Sequence, residues 1–227
     1  QHADSIIVTL DCVKKVIDEK YHKKIVKIPI GTDTKYFKPY KKDLTDNNTI
    51  LFLAYIVKRK GLKYLIEAID IIKKQIPEIK LKIVGDGPDK PYFIDLTEKM
   101  GLTQNIEFIG GVGHKETVKY FNDAQIYVLP SLGEPFGMSA VEAMSCGLPV
   151  IGTNAGGLPE VLGIENSEWI VEPRNKEQLA EKIIKLLMNY DLCCKIGKNN
   201  REYVVRSFDW RLIVSKYNEV YNRLCVK

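Results

Sequence analysis

The sequence predicts an α/β fold: a Rossmann-like, doubly wound parallel sheet with helices on both faces. The first observation is that short β-branched runs alternate with amphipathic stretches across residues 49–206. Strands that alternate with helices of about 10–15 residues form βαβ units, which build parallel sheets covered on both sides. The second observation is that Gly clusters just after the strand-like runs. Ligands bind at these carboxyl ends of the strands in such sheets.

The elements are predicted in order from periodicity and from Gly and Pro breaks. The clearest helix covers 62–76, where Leu62, Leu65, Ile66, Ile69 and Ile72 share one face. The predicted strands are 5–10, 25–28, 49–56, 80–84, 106–109, 126–130, 149–152 and 169–171. The predicted helices are 11–21, 62–76, 90–100, 115–121, 137–146, 176–190, 191–207 and 210–224. Residues 31–48 have little periodicity and are predicted to be a connection, and 153–159 a turn.

Composition excludes several classes of protein. The chain has 227 residues, of which 45% are hydrophobic and 28% charged, a balance typical of globular proteins and not of disordered ones. No run approaches the ~18 apolar residues of a membrane-spanning helix. The start lacks both Met and the features of a signal peptide, so we expect a chain cut from something longer, or a processed start. Five Cys without CxxC spacing and three His argue against a zinc site and suit a reducing cytosol.

The positive charge is concentrated in the first quarter of the chain. Residues 1–60 carry 13 Lys/Arg against 7 Asp/Glu, whereas residues 61–227 carry 21 against 22. A Lys-rich solvated surface explains this simply, and steering of an anionic ligand or contact with an anionic membrane surface is the alternative. The cations are not interleaved with aromatic platforms, so we expect no nucleic-acid partner.

The candidate binding residues are concentrated in residues 131–150, which run from a strand end through a loop into a helix. Amides near Gly137 and Met138 would be free donors at the helix N-terminus, which is a ready anion site. Glu134 precedes this helix and Glu142 lies about one turn inside it. Carboxylates beside a bound phosphate need hydroxyl donors, so the pair suggests a nucleotide-sugar site with one acid on the sugar and one on the ribose. From the pattern alone, Glu134 as a helix-dipole partner and Glu142 as a solvated residue stay open.

The run EPFGMSAVEAMSCGLPV over 134–150 resembles the paired-glutamate motif of the retaining glycosyltransferases of the GT-B fold, group 1, family-4-like. Further resemblances cover 28–39, 60–62, 84–88, 108–110, 153–160 and 208–210. The resemblance implies the C-terminal half of a GT-B fold. Its implied parts are the last strand and helix of the N-terminal domain with the inter-domain segment (1–37), a linker (38–48), the donor-binding domain (49–206) and a helix crossing back toward the missing domain (207–227).

The resemblance also implies roles for individual residues. Lys60 would contact the donor diphosphate and Glu134 the sugar hydroxyls, and these two are the implied catalytic residues. Gly137 and Met138 would offer amides, and Glu142 would hold the ribose. The base would lie near 110–112. The rest of the implied donor-binding set is Phe136, Tyr55, Arg59, Gly110 and Val112. His2, His22 and His114 lie outside any matching context and receive no catalytic role.

One residue departs from the family pattern. The family usually has Arg five residues before the Lys60 position, where this chain has Tyr55. Loss of a charge-assisted contact would weaken donor binding by a few kcal/mol, unless Arg59 or Lys58 compensates. The alternative to an enzyme is therefore a non-catalytic nucleotide-sugar-binding or interaction domain with a degenerate diphosphate site.

The implied reaction needs no metal and no cofactor. The chain has no Asp-x-Asp motif to bridge a cation to the diphosphate, so Lys60 and the helix N-terminus would neutralise the charge. The donor would be a UDP-, GDP- or ADP-sugar, and the acceptor a glycan or lipid bound through the missing domain, as in polysaccharide biosynthesis. We expect the enzyme to be cytoplasmic or peripheral at the inner face of the membrane, and the isolated chain to be inactive alone.

Overall fold

The computed structural model describes residues 3–40 and 48–225. The strands are β1 (Ile6–Val8), β2 (Ile25–Lys27), β3 (Thr49–Leu53), β4 (Lys80–Val84), β5 (Ile106–Gly110), β6 (Ile126–Leu129), β7 (Val150–Thr153) and β8 (Ile170–Val171). The helices are α1 (Leu62–Ile72), α2 (Lys90–Lys99), α3 (Thr117–Asp123), α4 (Met138–Ser145), α5 (Leu158–Leu162), α6 (Lys176–Leu187), α7 (Tyr190–Phe208) and α8 (Trp210–Cys225). A six-stranded parallel sheet has the order β5-β4-β3-β6-β7-β8, and β1 pairs with β2. The predicted Rossmann-like sheet is confirmed.

The central strands are buried on both faces. In β3, Ile50 and Phe52 pack in one hydrophobic cluster, whereas Leu51 between them packs in the other. Successive side chains of a strand point to opposite faces, so the two clusters are the cores on the two sides of the sheet. This is why β3 is an uninterrupted apolar run in the sequence rather than an alternating one.

The chain reverses its direction of winding between β3 and β6, which are neighbours in the sheet although two strands separate them in sequence. Ligand crevices of doubly wound sheets form at this switch point, outside the carboxyl ends of the strands. The loops after β3 and β6 touch at Gly61, whose φ is 73° and where a Cβ would lie 1.8 Å from the Pro130 carbonyl oxygen. Only glycine allows this approach.

The C-terminal helix packs back on the N-terminal residues, as predicted. Ile213 and Val220 of α8 form a small core with Ile28, which follows β2. Thr32 anchors the junction, because its amide donates to the Phe208 carbonyl and its carbonyl accepts from the Trp210 amide. Within 3–40 and 48–225, no helix is long and apolar enough to cross a membrane.

The prediction of a helix over 11–21 was wrong. The chain instead forms two 3₁₀ segments, Asp11–Val16 and Glu19–Lys24, with extended Ile17 between them. Neither segment has a buried residue, so no apolar face is packed to support a longer α-helix. Asp18 caps the start of the second 3₁₀ segment, because its side chain accepts a hydrogen bond from the Lys20 amide at 3.1 Å.

Other boundaries also differ from the predictions. The strand predicted at 49–56 ends at Leu53, although the amides of Ala54 and Ile56 still donate to carbonyls at the end of β4 and just after it. The helix predicted at 115–121 is preceded by the 3₁₀ segment His114–Glu116, and the predicted turn 153–159 runs into α5, which the periodicity missed. The 3₁₀ segment Ile164–Trp169 was also missed. Most of the predicted linker 38–48, namely 41–47, and His2 lie outside the described residues.

Candidate functional site

The loop after β6 carries Glu134, which is paired with Lys60 from the loop after β3. The Lys60 Nζ atom lies 2.6 Å from Glu134 Oε2, and their side chains are 16% and 7% exposed. The Ser131 hydroxyl donates to the same oxygen at 3.1 Å. The other oxygen, Oε1, accepts no hydrogen bond from any described residue. Glu134 therefore has one oxygen held by the protein and one available to a ligand.

Backbone contacts fix the loop that presents Glu134. The Leu132 amide donates to the Arg59 carbonyl at 2.8 Å, and the Arg59 guanidinium donates to the Gly133 carbonyl. From the far side, the Gly157 amide donates to the Glu134 carbonyl at 2.7 Å. The Arg59 side chain thus supports the loop that carries Glu134.

The start of α4 presents unused amides beside this pair. Gly137 has a φ of 92° and precedes the first residue of the helix, Met138. The amides of Gly137, Met138 and Ser139 donate to no group in the described part of the chain. The buried Tyr127 hydroxyl donates to the Leu53 carbonyl at 3.0 Å and lies 2.7 Å from the Ser139 hydroxyl oxygen, which can donate to it. This arrangement suits an anion, because several N–H groups and the positive helix end converge.

Glu142, one turn into α4, is buried rather than solvated. Its side chain is 8% exposed, and its Oε1 lies 2.8 Å from Nε2 of His114. Burial raises the pKa of Glu142, and the hydrogen bond and charge of His114 oppose that rise. No other described residue hydrogen-bonds the Glu142 side chain, so Oε2 is unused. The interpretation of Glu142 as a solvated residue is excluded.

Sequence reasoning missed His114, to which it gave no role. The residue follows β5 by four positions and opens the segment His114–Glu116. The prediction that a base lies near Gly110 and Val112 already placed this loop at the site. His114 lies only two residues beyond Val112, so extending the predicted base-binding loop by two residues would have included it.

The remaining predicted site residues occupy different environments. Phe136 is buried, with its ring centroid 6.1 Å from that of Phe208, so it holds the loop from the core side. Gly110 ends β5 with a φ of 93°, and Val112 is partly buried. Tyr55 is 63% exposed, and its hydroxyl bonds to no described residue. No three His, Cys, Asp or Glu residues within 3–40 and 48–225 are grouped so that they could hold a metal ion.

A family model and curated relatives match this chain. The model described as glycosyl transferases group 1 matches residues 34–203. An uncharacterised glycosyltransferase of Methanocaldococcus jannaschii is 31% identical over 98% of this chain and 60% of its own length. A human phosphatidylinositol N-acetylglucosaminyltransferase subunit is 31% identical over 88% of this chain and 41% of its own length. The chain spans about half the length of the curated relatives it matches.

Solved structures match the fold. Sucrose-phosphate synthase from Thermosynechococcus elongatus has a TM-score of 0.85 and 29% identity, over 99% of this chain and 59% of that one. The Anabaena protein HepE, solved in complex with UDP, has a TM-score of 0.86 at 21% identity, over 97% of this chain and 64% of that one. The second likeness concerns the fold alone.

Proposed function

Because the chain belongs to the glycosyl transferases group 1 family, we propose that it is the donor-binding portion of a retaining glycosyltransferase. It would take a sugar from a UDP-, GDP- or ADP-sugar and need no metal or other cofactor. The observation that carries this proposal is the α4 N-terminus, flanked by two buried carboxylates that each keep one oxygen unused, Glu134 and Glu142. The dependence on GDP-mannose named for a Mycobacterium tuberculosis relative, 27% identical over 83% of this chain, supports a nucleotide-sugar donor.

The proposed assignments follow from these contacts. The diphosphate lies at the free amides of Gly137 and Met138, with Lys60 as its counter-charge. A sugar hydroxyl donates to Glu134 Oε1, and a ribose hydroxyl donates to Glu142 Oε2. The base lies along the loop that holds Gly110 and Val112. Lys60 and the helix end stabilise the leaving diphosphate during front-side attack, which is why no metal is needed.

The proposal assigns the acceptor to another part of the enzyme. A glycan or lipid acceptor would bind through an N-terminal domain, so the isolated 227-residue chain binds donor but transfers sugar poorly. Phosphatidylinositol in the name of the human relative supports a lipid acceptor as one option. The basic first quarter suits a cytoplasmic enzyme that meets an anionic membrane surface.

Tyr55 favours a second candidate function. A neutral side chain stands where the family's Arg would supply a charged diphosphate contact, and it is largely exposed. A site weakened in this way would serve a non-catalytic nucleotide-sugar-binding or interaction domain.

Calorimetric titration with UDP-, GDP- and ADP-sugars tests the proposal. We expect saturable binding of at least one donor, weakened by Glu142→Ala and by Lys60→Ala. Glu168→Ala and Lys185→Ala are control variants, because these two side chains are about half exposed and pair with each other rather than with Lys60, Glu134 or Glu142. No heat and no change in melting temperature with any donor at millimolar concentration would contradict the proposal.

A further inference from the structure

We propose that His114 is a positioning residue of the nucleotide site, which fixes the Glu142 carboxylate so that one oxygen is presented to the ribose. This inference rests on the proposed function and adds a specific part to it. His114 Nε2 holds Oε1 of Glu142 at 2.8 Å and leaves Oε2 unused.

The hydrogen bond between His114 and Glu142 indicates where the shared proton lies. A carboxylate only accepts hydrogen bonds, so the proton of the pair lies on Nε2 when Glu142 is ionised. The other titratable groups near Glu142 are Tyr127 on β6 and Cys146 after α4, and burial raises the pKa of both, which keeps them neutral. The guanidinium of Arg201 on α7 is engaged by backbone carbonyls instead. His114 is therefore the polar side chain that orients Glu142 within the described chain.

His114 is itself held, although its side chain is 70% exposed. Its carbonyl accepts from the Thr117 hydroxyl at 2.6 Å, and its ring centroid lies 5.1 Å from that of Phe37. Phe37 is in turn fixed, because its carbonyl accepts from the Ser145 hydroxyl at 2.6 Å and from Arg201 at 2.7 Å. A surface histidine that met a carboxylate by chance would not need this support on both sides.

The contact has a consequence that depends on the ligand. With Oε1 occupied, Glu142 can accept from a ribose hydroxyl through Oε2 without rotating. Loss of the His114 hydrogen bond frees the carboxylate to rotate and favours its neutral form, since burial already raises its pKa. Loss of the His114 hydrogen bond should therefore weaken recognition of the ribose and leave diphosphate binding unchanged.

Four single variants of the full chain, and the double variant of His114→Phe with Glu142→Ala, separate positioning from packing. His114→Phe keeps a ring against Phe37 and removes the donor. His114→Gln places an amide N–H near the Nε2 position, whereas His114→Asn carries the same group on a stem too short to reach Glu142. Glu142→Ala removes the partner. Dissociation constants are measured by calorimetry for UDP, GDP and ADP and for their 2′-deoxy forms, with melting temperatures as a check on folding.

We expect His114→Phe and His114→Asn to weaken binding of the best ribonucleotide about three- to tenfold, the range of one lost hydrogen bond. His114→Gln should retain most of the affinity that these two variants lose. With the 2′-deoxy nucleotide, or in the Glu142→Ala background, His114→Phe should change little.

The inference is overturned if wild type binds a nucleotide and Glu142→Ala weakens it, but His114→Phe does not. It is overturned as well if ribo- and deoxynucleotides lose affinity equally, or if Gln and Asn behave alike, because either result indicates general packing. Absence of any nucleotide binding by wild type would overturn the proposed function together with the inference.

Discussion

Removal of the Lys60 charge should leave Glu134 buried with only the Ser131 hydroxyl as a partner. At a separation of 2.6 Å and an effective dielectric constant of about 20, the attraction between unit charges is about 6 kcal/mol. Both side chains are mostly buried, so desolvation offsets much of this gain. We therefore expect a net coupling energy of about 2 kcal/mol between them.

A double-mutant cycle measures this coupling. The variants are Lys60→Met, Glu134→Gln and the double mutant, each unfolded in urea at pH 7. Lys60→Met should lower the free energy of unfolding by about 2–3 kcal/mol, and adding Glu134→Gln should recover most of it. Effects that add within about 0.5 kcal/mol would show that the two side chains do not interact, and would refute the assigned pairing.

Three further predictions concern neighbouring positions. Burial raises the folded-state pKa of Glu142 above its unfolded value. Ionisation of this carboxyl group therefore destabilises the folded state as pH rises through the folded pKa. Glu142→Gln should raise the melting temperature at pH 8 and leave it unchanged at pH 4 in thermal scans; an equal gain at both would contradict this. Gly61→Ala would place a Cβ 1.8 Å from the Pro130 carbonyl oxygen and should cost more than about 3 kcal/mol in urea unfolding, against about 1 kcal/mol for Gly101→Ala, where φ is also positive but no atom lies within 4 Å. Tyr55→Arg should weaken nucleoside-diphosphate binding in calorimetry if Tyr55 belongs to a working site, whereas a sharp gain would favour the degenerate domain.

The sheet was predictable because its signals are local. The apolar run of β3 and the helical spacing of α1 can be recognised within short stretches of sequence. The same apolar residues are the ones buried in the structure. The segment at 11–24 was not predictable from periodicity. Its conformation depends on Glu160, whose carboxylate accepts from the amides of Asp11 at 2.7 Å and Cys12 at 3.1 Å, about 150 residues away in sequence.

The sequence predicts where Glu134 and Glu142 lie but not what they contact, and their binding roles stay predictions. The spacing of Glu134 and Glu142 indicates two carboxylates at one helix start, and both are there. The pairing of Glu134 with Lys60 depends on neighbouring loops that meet across 74 residues of sequence. Only its position two residues beyond Val112 points to His114, because the fold alone brings its partner Glu142 to it.

A crystal structure of the chain with the nucleotide that binds best in calorimetry tests the central claim most directly. We predict the diphosphate on the amides of Gly137 and Met138 beside Lys60, and the ribose on Oε2 of Glu142 with His114 still on Oε1. A nucleotide bound elsewhere on the chain, or one whose ribose does not reach Glu142, would contradict it.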